Sequence, residues 1–294
     1  MLAVIATAGV LSVIPACAPQ READNRIGVV VTILPQAEFV EKVGGERVKV
    51  TVMVPPGASP HTYEPKPAQM KALAEAKIYA KVGSGVEFEL VWMEKLLATN
   101  KEMVVVDCSE GVELHEAVAE DEHEDEHEDE HHGGMDPHIW MSPANAQIMV
   151  QNICDGLIGE DPASRRYYEQ NSAAYQQELV EIDLEIRDGL SGVKNRRFMV
   201  YHPAFGYFAS EYGLDMIPVE IEGKEPAAAS LTRLIEQAKA QGITVIFVEP
   251  QFDPKSAEVI AEAIGGRVVF IDPLAEDYIG NLRLILSQML PAMK

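Results

Sequence analysis

The chain has 294 residues, 47% of them hydrophobic, so it is long enough for two packed domains and too apolar for a disordered protein. Its formal net charge is −23, from 47 acidic and 24 basic residues. This balance argues against a nucleic-acid-binding protein, because such proteins neutralise phosphates with Lys and Arg.

The first 17 residues resemble an export signal. Residues 1–16 are almost wholly apolar, but a transmembrane helix needs about 20 such residues. Ala16 before Cys17 resembles a lipobox, the motif after which a cysteine is lipidated. No later segment is long and apolar enough to span a bilayer. We therefore expect a signal peptide or lipobox at residues 1–17, an extracytoplasmic location and a membrane tether through Cys17.

Short β-branched runs alternate with amphipathic segments in the first half of the chain. Strands are predicted at Ile27 to Ile33, Val48 to Val54, Ile78 to Val82 and Met103 to Val106, and helices at Gln36 to Val43, Lys66 to Ala76 and Phe88 to Leu97. Continuous apolar strands separated by helices are typical of a parallel sheet covered by helices. The pattern predicts an N-terminal lobe at residues 25–160.

The segment 115–134 has the most unusual composition. Three tandem Glu-Asp-Glu-His units, residues 120–131, place nine carboxylates in twelve residues. Like charges at this density cannot bury a core, so the composition predicts a mobile loop. Imidazoles suit zinc, copper and nickel, and we predict weak accessory metal capture by His123, His127, His131 and His132. The alternative is a solvated acidic insert without a specific ligand.

A polar segment at residues 161–190 predicts one long helix between the halves. Its apolar side chains recur at helical spacing: Tyr168, Tyr175, Leu179, Ile182 and Ile186. Asp161 and Pro162 are typical of the cap and first position of a helix. One helix of this length would join the lobes stiffly; two shorter helices with a bend are the alternative.

The second half repeats the alternation and predicts a C-terminal lobe at residues 191–294. Strands are predicted at Arg197 to Tyr201, Asp215 to Val219, Thr244 to Val248 and Arg267 to Ile271, and helices at Ala204 to Tyr212, Ser230 to Gln241 and Lys255 to Ile264. The expected fold class is α/β, with two lobes, each a parallel sheet of about four strands covered by helices, joined by one long rigid helix.

Two cysteines, Cys108 and Cys154, lie within the predicted lobes. Both fall in apolar patterns, which favours two buried free thiols. A disulfide between them is the alternative, since the sequence does not show whether their Cα atoms come close enough.

Four residues beside prolines are candidate metal ligands. His61 follows a strand and a Pro-Pro-Gly turn, and His138 follows an Asp-Pro pair before a helix. His202 and Asp272 each close a predicted strand and precede a proline. Carboxyl ends of strands are where open α/β sheets bind ligands, and two candidates from each half suggest a site between the lobes.

This set of donor atoms favours zinc. The three histidines are the only ones outside segment 115–134. Three nitrogens and one carboxylate oxygen fit tetrahedral Zn²⁺, and a closed shell leaves no position for an activated water, which argues against a hydrolase. Glu249, after the third predicted strand of the second half, is a competing carboxylate that we interpret as a capping residue. Water is a further alternative for the fourth position.

Four blocks of the sequence resemble the metal-binding subunits of ABC importers for zinc and manganese. They are Pro-Pro-Gly-x-Ser-Pro-His-x-Tyr-Glu-Pro at 55–65, Asp-Pro-His-x-Trp at 136–140, His-Pro-Ala-Phe-Gly-Tyr-Phe at 202–208 and Glu-Pro-Gln-Phe-x-Pro-Lys at 249–255. The resemblance covers the mature chain and implies two α/β lobes that bind the ion between them. The ligand positions of the family fall on His61, His138, His202 and Asp272.

The resemblance also implies zinc, with Mn²⁺ as the alternative. Manganese members generally carry a glutamate where this chain has His202, and an imidazole makes the site softer. Zinc members often carry a charged, histidine-rich loop where the acidic repeat lies. The expected function is a non-enzymatic, monomeric solute-binding protein that delivers Zn²⁺ to a permease and its ATPase partner. Alternatives are a zinc buffer or adhesin without a transporter and, less favoured, a zinc hydrolase.

Overall fold

The computed structural model describes residues 25–117, 134–220 and 224–293. Its strands are β1 (Ile27–Val31), β2 (Val48–Val52), β3 (Ile78–Lys81), β4 (Val104–Asp107), β5 (Arg197–Val200), β6 (Asp215–Pro218), β7 (Val245–Val248) and β8 (Arg267–Phe270). Its α-helices are α1 (Leu34–Gly44), α2 (Pro67–Glu75), α3 (Glu87–Thr99), α4 (Pro143–Glu160), α5 (Arg165–Ser191), α6 (Gly206–Tyr212), α7 (Ala228–Ala240), α8 (Lys255–Ile264) and α9 (Tyr278–Ala292).

Two four-stranded sheets carry the fold. Their strand orders are β2-β1-β3-β4 and β6-β5-β7-β8, and every pair is parallel. Two parallel sheets with a long helix between the lobes confirm the predicted fold class. The predicted domain boundaries at residues 25–160, 161–190 and 191–294 stay a prediction.

The central strands of the second sheet, β5 and β7, are buried on both faces, which explains their continuous apolar sequences. In β5, Phe198 and Val200 pack into one apolar cluster, whereas Met199 and the adjoining Tyr201 pack into a second one. Neighbouring side chains of a strand point to opposite faces, so helices must cover both sides. The first of these clusters continues through α5 and α9 into the first sheet, so one core joins the two lobes.

Helix α5 is a single helix of 27 residues, as the long-helix prediction has it. Its buried face holds every apolar residue on which the prediction rests: Tyr168, Tyr175, Leu179, Ile182 and Ile186. Pro162 opens a 3₁₀ turn, Pro162–Ser164, that leads directly into α5, and Asp161 lies at the N-cap position of that turn, as predicted. The Asp161 carboxylate accepts a hydrogen bond from the Tyr168 hydroxyl (3.0 Å).

Hydrogen bonds between the two halves of the chain fix the lobes to each other. Trp140 Nε1 donates a hydrogen bond to the carbonyl of Pro273 (2.7 Å), and the Tyr278 hydroxyl donates to the carbonyl of Trp140 (2.7 Å). Both aromatic side chains are buried. The loop that carries His138 is therefore tied directly to the segment that follows Asp272.

The structure tests the cysteine prediction but not the predictions for the signal segment and the acidic repeat. Cys108 and Cys154 are free and buried, which confirms the two-thiol interpretation. The predicted signal segment 1–17 and the acidic repeat 120–131, with His132, lie outside the described residues. Among the helices that are described, none combines the length and the apolar character needed to cross a membrane.

Candidate metal centre

Local turns position each of the three histidines. His61 follows β2 in a proline-rich loop, where its backbone N–H donates to Ser59 Oγ (3.2 Å). The backbone N–H of His138 donates to Asp136 Oδ1 (2.9 Å). His202 comes just after β5, and its backbone N–H donates to Glu249 Oε2 (3.1 Å). Each imidazole is thus attached to a backbone segment that a polar side chain holds in place.

The Nε2 atoms of the three imidazoles converge on one point. Nε2 of His202 lies 3.3 Å from Nε2 of His61 and 3.2 Å from Nε2 of His138. Two nitrogens bound tetrahedrally to one Zn²⁺, each about 2.05 Å from it, are about 3.3 Å apart. The observed separations therefore match those of a shared tetrahedral ion, and these residues form the one group of potential metal ligands found among the described residues.

Each imidazole also contacts a carboxylate through its other nitrogen. Nδ1 of His61 lies 3.0 Å from Glu87 Oε2. Nδ1 of His138 lies 2.7 Å from Asp136 Oδ1, and Nδ1 of His202 lies 2.6 Å from Glu220 Oε1. A proton held at Nδ1 by a carboxylate leaves the Nε2 lone pair free for a metal and raises its basicity.

The site is buried on one side and open on the other. His138 and His202 are buried, whereas the His61 side chain is 32% exposed. Phe252 stacks on the His202 ring, and Trp140 packs edge-on against His138. Burial lowers the pKa of His202, against the opposing hydrogen bond of Glu220, so the neutral imidazole that a metal requires is favoured. His61 is the most exposed of the three imidazoles.

The structure does not bring Asp272 into the group of three histidines. Its Oδ1 atom accepts hydrogen bonds from Gln251 Nε2 (2.9 Å) and from the backbone N–H of Leu274 (2.9 Å). Gln251 and Leu274 themselves line the pocket beside the imidazoles. Asp272 is therefore bonded to two residues of the pocket lining, and its role as fourth ligand stays a prediction.

Glu249 is fully buried behind His202. Burial raises the pKa of its carboxyl well above the usual range, and the nearby carboxylates of Glu220 and Asp272 act in the same direction. Its Oε1 atom has no hydrogen-bond partner among the described residues. Its Oε2 atom holds the backbone N–H of His202, which lies between β5 and α6, so the contact does not cap a helix.

Sequence reasoning gave no role to the three carboxylates that hold the imidazoles. Glu87 begins α3, Asp136 precedes Pro137, and Glu220 follows β6. Asp136 and Glu220 are buried, which is unusual for acidic residues without a partner. Asp136 had a detectable signal, because it is two residues from His138. Nothing local distinguishes Glu87 or Glu220 from the other acidic residues of the chain.

Comparison with known sequences identifies the family. The sequence profile described as zinc-uptake complex component A, periplasmic, matches residues 29–292. The chain belongs to this family. The membership agrees with the resemblance to metal-binding subunits of ABC importers that the four sequence blocks indicate.

Individual members are similar over most of the chain. The high-affinity zinc uptake system protein ZnuA of Bacillus subtilis is 34% identical over 254 residues, which are 85% of this chain and 79% of that protein. The zinc-binding lipoprotein AdcA of Streptococcus pneumoniae is 31% identical over 88% of this chain, but the match spans only 52% of AdcA. This chain thus spans about half the length of the AdcA relatives.

Solved structures of the family share the fold. One match is a crystal structure of ZnuA, with 40% sequence identity and a TM-score of 0.85. The match covers 92% of this chain and 100% of the ZnuA chain. Another match is the zinc-bound ZnuA-like domain of Streptococcus pneumoniae AdcA, with 27% sequence identity and a TM-score of 0.74. This match covers 91% of this chain and 99% of the AdcA domain. The two-lobed arrangement is therefore that of the family.

Proposed function

We propose that this protein captures one Zn²⁺ ion outside the cytoplasm and delivers it to the permease of an ABC importer. His61, His138 and His202 bind the ion through Nε2. Asp272 provides the fourth ligand through Oδ2, while its Oδ1 atom keeps the bonds to Gln251 and Leu274. The observation that carries the proposal is the convergence of three Nε2 atoms at separations of 3.2 and 3.3 Å.

The donor set supports zinc over manganese. Mn²⁺ prefers carboxylate, carbonyl and water oxygens in a six-coordinate shell, whereas imidazole nitrogens in tetrahedral geometry suit Zn²⁺. The relatives named above are described as zinc uptake and zinc-binding proteins. The cargo of this chain is accordingly Zn²⁺.

Delivery requires partners at the membrane. The family description names a component of a zinc-uptake complex in the periplasm, which supports a location outside the cytoplasm and a permease with its ATPase subunit as partners. A lipid tether at Cys17 would keep the protein near that permease. The ion is bound and released unchanged, so the proposed role is that of a monomeric carrier and not of an enzyme.

Calorimetric titration of the metal-free protein tests the ligand set. We expect one high-affinity Zn²⁺ site, and His202→Ala should lower its affinity at least about 100-fold, because it removes a ligand and leaves Glu220 buried without its partner. Gln177→Ala is the control, since Gln177 is exposed on α5 and outside the group of three. Equal affinities of His202→Ala and the parent protein would refute the assignment.

A further inference from the structure

A short antiparallel ladder leads into the segment that carries His138. Residue 116 pairs with residue 135, the N–H of Ala117 donates to the carbonyl of Gly134 (2.9 Å), and the N–H of Asp136 donates to the carbonyl of His115 (2.8 Å). Asp136 lies at the end of this ladder. Its Oδ1 atom then binds both the backbone N–H and the Nδ1 atom of His138. The conformation of Asp136 thus determines where the imidazole of His138 points.

Helix α6, which follows His202 in the other lobe, contacts Asp136 at two points. The first is Gly206, where an added Cβ would come closer than 3.0 Å to Asp136 Oδ2. The backbone of Gly206 does not have a positive φ, so its conformation does not require glycine. Glycine is required here for lack of space, because the buried Asp136 carboxylate lies where a side chain would begin.

The second contact is Tyr207. Its hydroxyl donates to the carbonyl of Asp136 (3.2 Å) and accepts a hydrogen bond from the N–H of His115 (3.0 Å). Its ring stacks on the His115 ring with centroids 4.6 Å apart. Tyr207 is buried and therefore has one defined orientation. It joins both strands of the ladder to the helix that begins four residues after His202.

We infer that Gly206 and Tyr207 are positioning residues of the metal site. They act through Asp136, whose carboxylate and carbonyl they hold, and so fix the imidazole of His138 relative to that of His202 across the interface between the lobes. Neither residue touches the ion. The inference rests on the proposed zinc site, because it assigns these residues a role in holding one of its ligands.

Gly206→Ala tests the inference, because the effect that we expect is opposite in sign to the effect of helix propensity. Alanine stabilises helices relative to glycine, so a purely local effect would be neutral or favourable. We expect instead that the methyl group displaces the Asp136 carboxylate, breaks its bonds to His138 and lowers the Zn²⁺ affinity about 10- to 100-fold. The visible spectrum of the Co²⁺ form should change as well, because the arrangement of the ligands around the metal is distorted.

Matched variants separate positioning from general damage. Gly159→Ala in α4 adds a methyl group with open space around it and should leave the Zn²⁺ affinity within about twofold. Tyr207→Phe should weaken binding, whereas Tyr212→Phe in the same helix loses a hydroxyl that bonds to Asp183 and should not. If Gly206→Ala does not fold, this tyrosine pair decides the outcome.

A double-mutant cycle makes the route through Asp136 explicit. In an Asp136→Ala background there is no carboxylate to displace, so Gly206→Ala should cause no further loss of Zn²⁺ affinity. The inference is overturned if Gly206→Ala binds Zn²⁺ like the parent, or if it causes the same loss in both backgrounds. A parent protein without tight Zn²⁺ binding would instead refute the proposed function itself.

Discussion

At the scale of single residues, the site consists of three imidazoles, each of which contacts a carboxylate through its Nδ1 atom. Glu87, Asp136 and Glu220 contact the Nδ1 atoms, which favours a proton on Nδ1 and a lone pair on Nε2 of each imidazole. Three nitrogen donors that converge in this way form a ligand set for a divalent cation.

Burial of His202 makes the metal-free protein less stable in mild acid. Burial lowers the pKa of His202 in the folded state, whereas the unfolded chain has a histidine pKa of about 6.5. Between the two values the unfolded state binds one more proton, so the free energy of unfolding is highest above about pH 6.5 and falls as the pH drops towards the folded pKa. Urea unfolding at pH 7.5 and 5.5 should show this decrease.

The variant His202→Gln provides the control for that pH dependence. It removes the titrating group, so its free energy of unfolding should change less between the two pH values than that of the parent. Equal changes in both proteins would show that other groups cause the acid sensitivity and that burial of His202 does not.

At the scale of elements, α5 contributes to the core that joins the lobes. Leu179 is fully buried, whereas Leu184 on the same helix is 59% exposed. Leu179→Ala should lower the free energy of unfolding by about 2–5 kcal/mol, because it creates a cavity in a packed interior. Leu184→Ala should change it by about 0.5 kcal/mol or less. Similar losses for both variants, measured by urea unfolding, would contradict a core that runs through this helix.

Element predictions from the sequence succeed where burial has a clear period. Burial alone accounts for two such patterns, the β-branched runs of both sheets and the apolar face of α5, and both are therefore predicted. Ends are less accurate, since the segment predicted as one helix from residue 161 begins with a 3₁₀ turn, Pro162–Ser164, before α5. The predicted elements also omit α9, although Ile279, Leu282 and Leu286 recur at helical spacing.

The candidate site could be predicted from the sequence only in part. Proline turns and strand ends mark His61, His138 and His202, and the structure brings these three together. Glu87 and Glu220 could not be predicted, because their partners are distant in the chain and become neighbours only after folding. The space at Gly206 has the same origin, since the carboxylate that fills it belongs to the other lobe.

At the scale of the whole molecule, the acidic repeat and the three-histidine site should bind metal independently. A chain segment with nine carboxylates loses much conformational entropy for each ion that it orders, so it should bind several ions weakly. Deletion of residues 120–132 should therefore abolish the weak sites and retain one tight Zn²⁺ site, as measured by titration. Loss of nearly all binding would favour a zinc buffer over a carrier.

The central claim is that one Zn²⁺ ion binds between the lobes to three Nε2 atoms. A crystal structure of the zinc-loaded protein, with anomalous diffraction recorded at the zinc edge, tests it most directly. The account predicts one strong anomalous peak about 2.0–2.1 Å from Nε2 of His61, His138 and His202, with an oxygen atom in the fourth position. A main peak elsewhere, or one bound by fewer than these three imidazoles, would contradict it.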